Sequence, residues 1–191
     1  MRNIIYLSLL LVCNVMFSQQ NIEDNQAVIP KIVKFSGKEL KLNGVGNRSK
    51  LWFDVYTIAL YTTEISTNAK EILDGNTTMG MIFYIESSLI NSKNFSKNVS
   101  KGLKNSAGDI LWNKFQPELK LLDDFVSKEG VVKGDVYNLV YNNTDESIWV
   151  MRNGGLTGKI PGFEFKKAIF GIWLSDKPLN EGLKKDLLGI N

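Results

Sequence analysis

The chain has 191 residues, of which 43% are hydrophobic and 23% charged, and its formal net charge is +3. This composition is typical of a globular protein, and the length fits one domain or two small ones. The sequence has no histidine, which excludes Ser–His and Cys–His catalytic pairs and histidine metal ligands. Its single cysteine, Cys13, leaves no intramolecular disulfide to be formed.

The first 19 residues have the layout of a secretory signal peptide. Arg2 provides a positive start, residues 4–17 are almost entirely apolar, and the chain then turns polar. This run is too short to span a bilayer. The alternatives are an uncapped buried helix and a lipoprotein signal at Cys13, whose preceding residue is not small. We therefore expect an exported protein, periplasmic or secreted, whose mature domain comprises residues 20–191.

Export makes a direct prediction about the mature N-terminus. If the signal peptide is removed, N-terminal sequencing of protein from the native host should begin near Gln19, Gln20 or Asn21, where the apolar run has ended. Recovery of chains that retain Met1 from the soluble fraction would contradict it.

The mature chain is close to neutral, because removal of residues 1–19 takes only Arg2 from the 23 basic residues and none of the 20 acidic ones. A nucleic-acid-binding protein would show a concentrated basic face, so no such partner is expected. One lysine cluster shares a predicted helix face, comprising Lys93, Lys97, Lys101 and Lys104. A solvated face is the first interpretation of this cluster, and contact with an anionic membrane or polyanion is the second.

Periodicity and turn residues predict the elements of the mature chain in order. The first half should contain strands at 31–35 and 39–42, a glycine-rich turn at 43–47, a long strand at 48–61, a helix at 67–73 and a strand at 79–85. The second half should contain a helix capped by Asn91 or Ser92, a helix over 110–126 with Leu111 facing inward, strands at 135–141, 147–152 and 156–160, and helices at 163–174 and from Pro178 to Gly189.

The order of these elements indicates one α+β domain, with a layer of helices on a large, mostly antiparallel sheet. No repeat or linker divides the chain, and no later segment is apolar enough to span a membrane. Phosphate-binding loops and metal-ligand spacings are missing, so no metal or cofactor is predicted.

Three stretches carry a resemblance to a known family. They are GVGNR at 44–48 with the strand FDVYTIALY at 53–61, KGDV at 133–136, and FKKAIFGIWL at 165–174 with Pro178 and LKKDLLG at 183–189. This pattern resembles the chalcone isomerase-like superfamily over about residues 31–190. The resemblance implies an open-faced β-sandwich with a ligand cleft between sheet and helices. The family contains chalcone isomerases, fatty-acid-binding proteins and bacterial relatives.

Arg48 is the first candidate site residue. It is one of only two arginines in the mature chain, and a guanidinium binds a carboxylate or enolate through two hydrogen bonds. The resemblance implies that Arg48 points into the cleft. On an unbroken strand, Tyr56 lies on the same face as Arg48, and its hydroxyl would complete an anion-binding pair. The simpler interpretations are a surface salt bridge for Arg48 and a core aromatic for Tyr56.

The sequence departs from plant chalcone isomerases at two positions. Phe95 stands where the resemblance implies an active-site tyrosine, and Gly102 stands where it implies an asparagine. The expected cleft therefore has an anion anchor but lacks other polar catalytic groups. Tyr84, Phe95, Ile172 and Trp173 are predicted to form its apolar lining, with plain core packing as the alternative.

These residues lead to three hypotheses. The first is an exported protein that binds a small amphiphilic carboxylate such as a fatty acid, with Arg48 and Tyr56 at the head group. The second is an isomerase acting on an α,β-unsaturated ketone of chalcone type, in which Arg48 stabilises the developing enolate as the catalytic residue. The third is an envelope interaction protein that uses the lysine face.

Overall fold

The computed structural model describes residues 21–24, 27–50, 53–88, 90–128 and 130–190. The predicted signal peptide, including Cys13, lies outside these ranges. The strands are β1 (Asn21–Asp24), β2 (Ala27–Pro30), β3 (Ile32–Phe35), β4 (Lys38–Lys50), β5 (Phe53–Thr62), β6 (Met79–Ile85), β7 (Val136–Asn142), β8 (Ser147–Arg152) and β9 (Gly155–Pro161). The helices are α1 (Ala69–Asp74), α2 (Ser92–Lys114), α3 (Gln116–Ser127), α4 (Phe163–Leu174) and α5 (Glu181–Leu188).

Strands β3 to β9 form one antiparallel sheet in which each strand pairs with the next along the chain. Successive side chains point to opposite faces, and the two faces have different partners. Ile58 and Leu60 of β5 pack with the helices, whereas Ala59 and Tyr61 face the other side. There Ile29 of β2 is buried against them. The predicted α+β architecture, a large antiparallel sheet covered by helices, is confirmed.

Helix α4 lies at the centre of the helical layer. It packs against α1 and α2 and contacts α5, and its residues from Phe165 to Leu174 are buried except at position 167. Burial extends around the helix, and includes even Lys166, rather than following one apolar stripe, which is typical of a helix enclosed on several sides. Its bounds agree with the predicted helix at 163–174.

Helix α2 begins at the predicted cap, but its backbone is not helical throughout. The Asn91 side chain accepts a hydrogen bond from the Asn94 amide at 3.0 Å, which confirms the N-cap. Gly108 has a φ of +83° and interrupts the helix. The helix predicted over 110–126 is divided at Phe115 between α2 and α3. Leu111 therefore lies on a different helix from the buried residue Leu122, and Ile110 (85%) and Leu111 are exposed. The prediction that Leu111 faces inward is therefore wrong.

The predicted turn at 43–47 is also wrong, because these residues belong to strand β4. Helix α5 lies so close to β4 that side chains would not fit between them. A Cβ atom on Gly44 would be 2.2 Å from the Asp186 carbonyl oxygen, and one on Gly46 would be 2.6 Å from Leu183 Cδ1. The two glycines thus permit close packing of a helix on a strand rather than a sharp turn. Helix α5 itself begins after the Asn180 cap, later than Pro178.

Lys166 has a structural role that sequence analysis missed. It is fully buried, and its ammonium donates hydrogen bonds to the carbonyls of Ile72 (2.8 Å), Leu73 (2.8 Å) and Gly75 (2.9 Å). Burial lowers the pKa of Lys166 to about 8. Three carbonyls at the end of α1 are satisfied in this way, so a residue of α4 fixes the position of the short helix α1.

Candidate functional site

A cavity of about 280 Å³ lies between the sheet and the helical layer. Its described walls come from strands β4 to β6, from helices α2 and α4, and from the segments that precede α2 and α5. The lining residues are Arg48, Val55, Tyr56, Phe83, Ile90, Phe95, Asn98, Val99, Lys101, Gly102, Asn105, Ile172, Trp173 and Leu179. Of the six residues predicted to bind a ligand, five therefore line one cavity: Arg48, Tyr56, Phe95, Ile172 and Trp173.

Arg48 and Tyr56 meet across two strands and not along one. Sequence analysis placed them on a single long strand, but Arg48 belongs to β4 and Tyr56 to β5, and they are directly opposite in the antiparallel register. Residues paired in this way have their side chains on the same face of the sheet. The Nη1 group of Arg48 donates to the Ser49 carbonyl at 2.8 Å. Because a guanidinium has five N–H donors, this bond leaves most of its hydrogen-bonding capacity unused by the described residues.

Trp173 determines how the Tyr56 hydroxyl can act. The indole Nε1–H donates to the Tyr56 hydroxyl oxygen at 3.1 Å, and an indole N–H can only donate. The Tyr56 oxygen is therefore an acceptor in this bond, and its own hydrogen is directed to another partner. Burial raises the pKa of Tyr56 to about 12, although the bond from Trp173 and the charge of Arg48 oppose this rise. The hydroxyl consequently remains a neutral donor at physiological pH.

Aromatic and aliphatic side chains form most of the remaining cavity wall. Phe83 contacts both Tyr56 and Trp173, with ring centroids 5.5 Å and 5.1 Å apart. Phe95 lies at the α2 wall and stacks on Tyr137 with the centroids 6.3 Å apart. These rings and Ile172 provide an apolar environment next to the charged end, which is the arrangement an amphiphilic molecule requires.

Tyr84 is the predicted lining residue that the structure places elsewhere. Phe83 faces the helices, so strand alternation directs Tyr84 to the opposite face of the sheet. There it packs, half-buried, with the outer cluster that contains Tyr61 and Ile82. The sequence interpretation chose the wrong aromatic residue of β6, because the strand is apolar at almost every position and its alternation does not reveal which face is inside.

Sequence analysis missed three polar residues of the cavity wall. Asn98, Lys101 and Asn105 all line it from α2. Their spacing of three and four residues places them on one helix face, and this spacing was the available signal. Lys101 had been grouped with the exposed lysine face. The four lysines of that face are indeed exposed, and Lys104 forms an ion pair with Asp109 at 2.9 Å.

A second cavity, of about 210 Å³, lies beside the first between α2 and α3. Phe95 and Val99 line both cavities, so their side chains form the partition. The second cavity is more polar, and its wall includes Asp123, which accepts hydrogen bonds from Ser96 and Ser127. The two spaces are therefore adjacent, with Phe95 and Val99 between them.

The described part of the chain has neither a metal-ligand cluster nor a membrane-spanning helix. No group of three or more cysteine, aspartate or glutamate side chains is arranged there to hold a metal ion. None of the helices within the described ranges combines the length and the apolar character needed to cross a bilayer.

Comparison with known proteins gives one family match and several similar solved structures. A model of the family described as chalcone isomerase-like matches residues 22–189. Among solved structures, the chain is similar to a fatty-acid binding protein from Arabidopsis thaliana, with a TM-score of 0.70 and 15% sequence identity over 88% of this chain and 96% of that one. At this identity the similarity shows a shared fold. No curated protein sequence matches the chain.

Proposed function

The chain belongs to the chalcone isomerase-like family, and from this premise we propose that it binds a small amphiphilic carboxylate between its sheet and its helices. The observation that carries the proposal is the pairing of Arg48 and Tyr56 at the wall of a cavity that is otherwise largely apolar. The structural similarity to a fatty-acid binding protein supports the same class of ligand. The layout of residues 1–19 supports export of the protein.

The head group of such a ligand would be held by two kinds of donor. Arg48 supplies a permanent positive charge and a planar pair of N–H groups that suits a carboxylate. Tyr56 supplies a neutral O–H, and the hydrogen bond from Trp173 polarises it and directs it away from the indole. A carboxylate accepts from both donors at once, whereas an alcohol or ester gains much less from the charge of Arg48.

The cavity volume indicates the length of the ligand. A dry cavity of about 150 Å³ holds benzene, so a cavity of about 280 Å³ has room for roughly eleven or twelve non-hydrogen atoms at the same packing. A straight-chain carboxylate of about ten carbons meets this limit. We therefore use decanoate as the reference ligand.

The proposal is tested by titrating decanoate into the full chain and measuring heat or the displacement of a fluorescent fatty acid. We expect saturable binding to one site, with affinity for decanol at least about tenfold weaker, because a charge-assisted hydrogen bond contributes roughly 1.5–3 kcal/mol. Equal affinity for decanoate and decanol, or no saturation with decanoate, would refute the assignment.

The isomerase hypothesis has a structural difficulty at position 102. A Cβ atom on Gly102 would be 2.8 Å from Ile172 Cγ2, because α2 packs closely on α4 at this point. The wall therefore has no room for the polar side chain that the family resemblance implies in chalcone isomerases. Arg48 could still stabilise an enolate, but the cavity is better suited to binding than to orienting a flavonoid.

Replacement of Phe95 should change the preferred chain length. Phe95→Ala removes the ring that separates the two cavities, so a longer acyl chain can enter the second one. In a series from C8 to C18, we expect the tightest-binding carboxylate to shift from about C10 to about C16, since the combined volume is nearly double. Leu103→Ala, a buried α2 residue outside both linings, is the control. An unchanged length profile in Phe95→Ala would show that the ring is not the partition.

A further inference from the structure

The charged residues that line the main cavity are both cations. Arg48 projects from β4 of the sheet, and Lys101 projects from α2 of the helical layer, so the two charges come from different walls of one cavity. Among the described residues, neither has an acidic partner within 4.0 Å, whereas Lys104 of the same helix is paired with Asp109. Two like charges at one small cavity repel each other, and an anion between them relieves this repulsion.

Two asparagines of α2, about one helical turn before and after Lys101, add hydrogen-bonding groups to this wall of the cavity. Asn98 and Asn105 lie on the same helix face and line the same cavity, and each side-chain amide offers N–H donors and a carbonyl acceptor. A single carboxylate is satisfied by Arg48 and Tyr56, which leaves this second polar group on α2 unused. A head group with more negative charge and more acceptor oxygens would use both sides.

We infer that the natural ligand is an amphiphile with a doubly charged anionic head group, held between Arg48 on the sheet and Lys101 on α2, with Asn98 and Asn105 as hydrogen-bonding partners. This inference rests on the proposed function, because it assumes that the cavity takes an amphiphile with its head group at Arg48. A phosphate monoester and a dicarboxylate share this chemistry. Lys101 is then a residue that determines head-group specificity, and it is distinct from the anchor Arg48.

The experiment compares four ligands of similar tail length with the full chain at pH 8: decanol, decanoate, decyl phosphate and octylmalonate. Decyl phosphate and octylmalonate are dianions, and comparison between them distinguishes a phosphate from a dicarboxylate. Lys101→Met is the test variant. Lys97→Met is its matched control, because Lys97 is exposed on the same helix one turn earlier and is not part of the described cavity lining.

We expect the unmodified protein to bind at least one dianion about tenfold more tightly than decanoate, a ratio that corresponds to about 1.4 kcal/mol. Lys101→Met should abolish this preference while changing the affinity for decanoate by less than about twofold. Lys97→Met should retain the preference. Because the contact is between charges near the protein surface, the preference should also weaken as salt is raised from about 50 to 500 mM.

Two results would overturn the inference. One is equal affinity for decanoate and both dianions in the unmodified protein. The other is an equal loss of the preference for dianions in Lys101→Met and Lys97→Met, which would indicate that the preference comes from the general positive charge of the lysine face. If decanoate binds and Arg48→Ala abolishes its binding while no dianion is preferred, this inference fails and the proposed function stands. If neither decanoate nor a dianion binds, the proposed function fails with it.

Discussion

Arg48→Ala should lower the affinity for decanoate by about thirtyfold or more. Truncation of one partner of a desolvated charge pair costs roughly 2–5 kcal/mol, and Arg48 is half-buried, lies opposite Tyr56 in the strand register and lines the same cavity. Isothermal titration with decanoate and decanol measures the effect. The affinity for decanol should change little, because a neutral head group makes no ion pair with the guanidinium.

Two further variants separate the anchor from a general effect of charge. Arg48→Lys should restore only part of the affinity, since an ammonium keeps the charge and loses the two-pronged geometry. Lys41→Ala is the matched control. Lys41 lies on the same strand β4 and pairs with Glu64 at 2.9 Å on the surface, where such a pair contributes at most about 1 kcal/mol. If Arg48→Ala and Lys41→Ala bind decanoate equally well, Arg48 is not the anchor.

Gly44→Ala should destabilise the fold by about 3 kcal/mol. The added methyl group would lie 2.2 Å from the Asp186 carbonyl oxygen and 2.5 Å from that of Leu187. Both are backbone atoms, so no side-chain rotation relieves the contact, and α5 must move away from β4. Overpacking typically costs about 1–3 kcal/mol, and a clash between two backbone segments belongs at the upper end. Urea denaturation measures the free energy of unfolding.

Gly155→Ala provides the control for the glycine substitution. Gly155 also lies in a strand, and the atom nearest to its added Cβ is the Arg152 carbonyl oxygen at 3.4 Å, so we expect a change within about 1 kcal/mol. If the urea concentration at the unfolding midpoint is as high for Gly44→Ala as for Gly155→Ala, α5 does not pack on β4 as closely as these distances indicate. Decanoate binding by folded Gly44→Ala should also weaken, because a displaced β4 carries Arg48.

Elements that depend only on neighbouring residues could be predicted from local sequence patterns. Strand β6 and helix α4 have the predicted bounds, because a short apolar run defines β6 and a helical period beginning directly after Pro161-Gly162 defines α4. The Asn91 cap of α2 followed from a rule about one side chain and an amide three residues away. For the same reason the α+β class and its large antiparallel sheet could be predicted, whereas the short sheet of β1 and β2 was not.

Predictions failed where the partner is distant in sequence. The sequence NGVGN at 43–47 was predicted to form a turn, since glycines usually mark one, yet the packing of helix α5 requires these residues in a strand. Tyr84 was chosen instead of Phe83 because only the helical layer defines which face of β6 is inside. Lys166 gave no sign of its role, because the carbonyls it caps belong to α1, more than 90 residues earlier.

The sequence by itself therefore determined the fold class, most element bounds, and the candidate pair Arg48 and Tyr56. The fold class and the element bounds depend on residue type and short-range periodicity, which are properties of neighbouring residues, whereas the candidate pair depended on the family resemblance as well. Only the tertiary structure decided that the pair meets across β4 and β5, that Trp173 orients the Tyr56 hydroxyl, and that Lys101 shares their cavity. Those relations depend on strand register and on the packing of α2 and α4 over the sheet, and both arise from contacts between residues far apart in the chain.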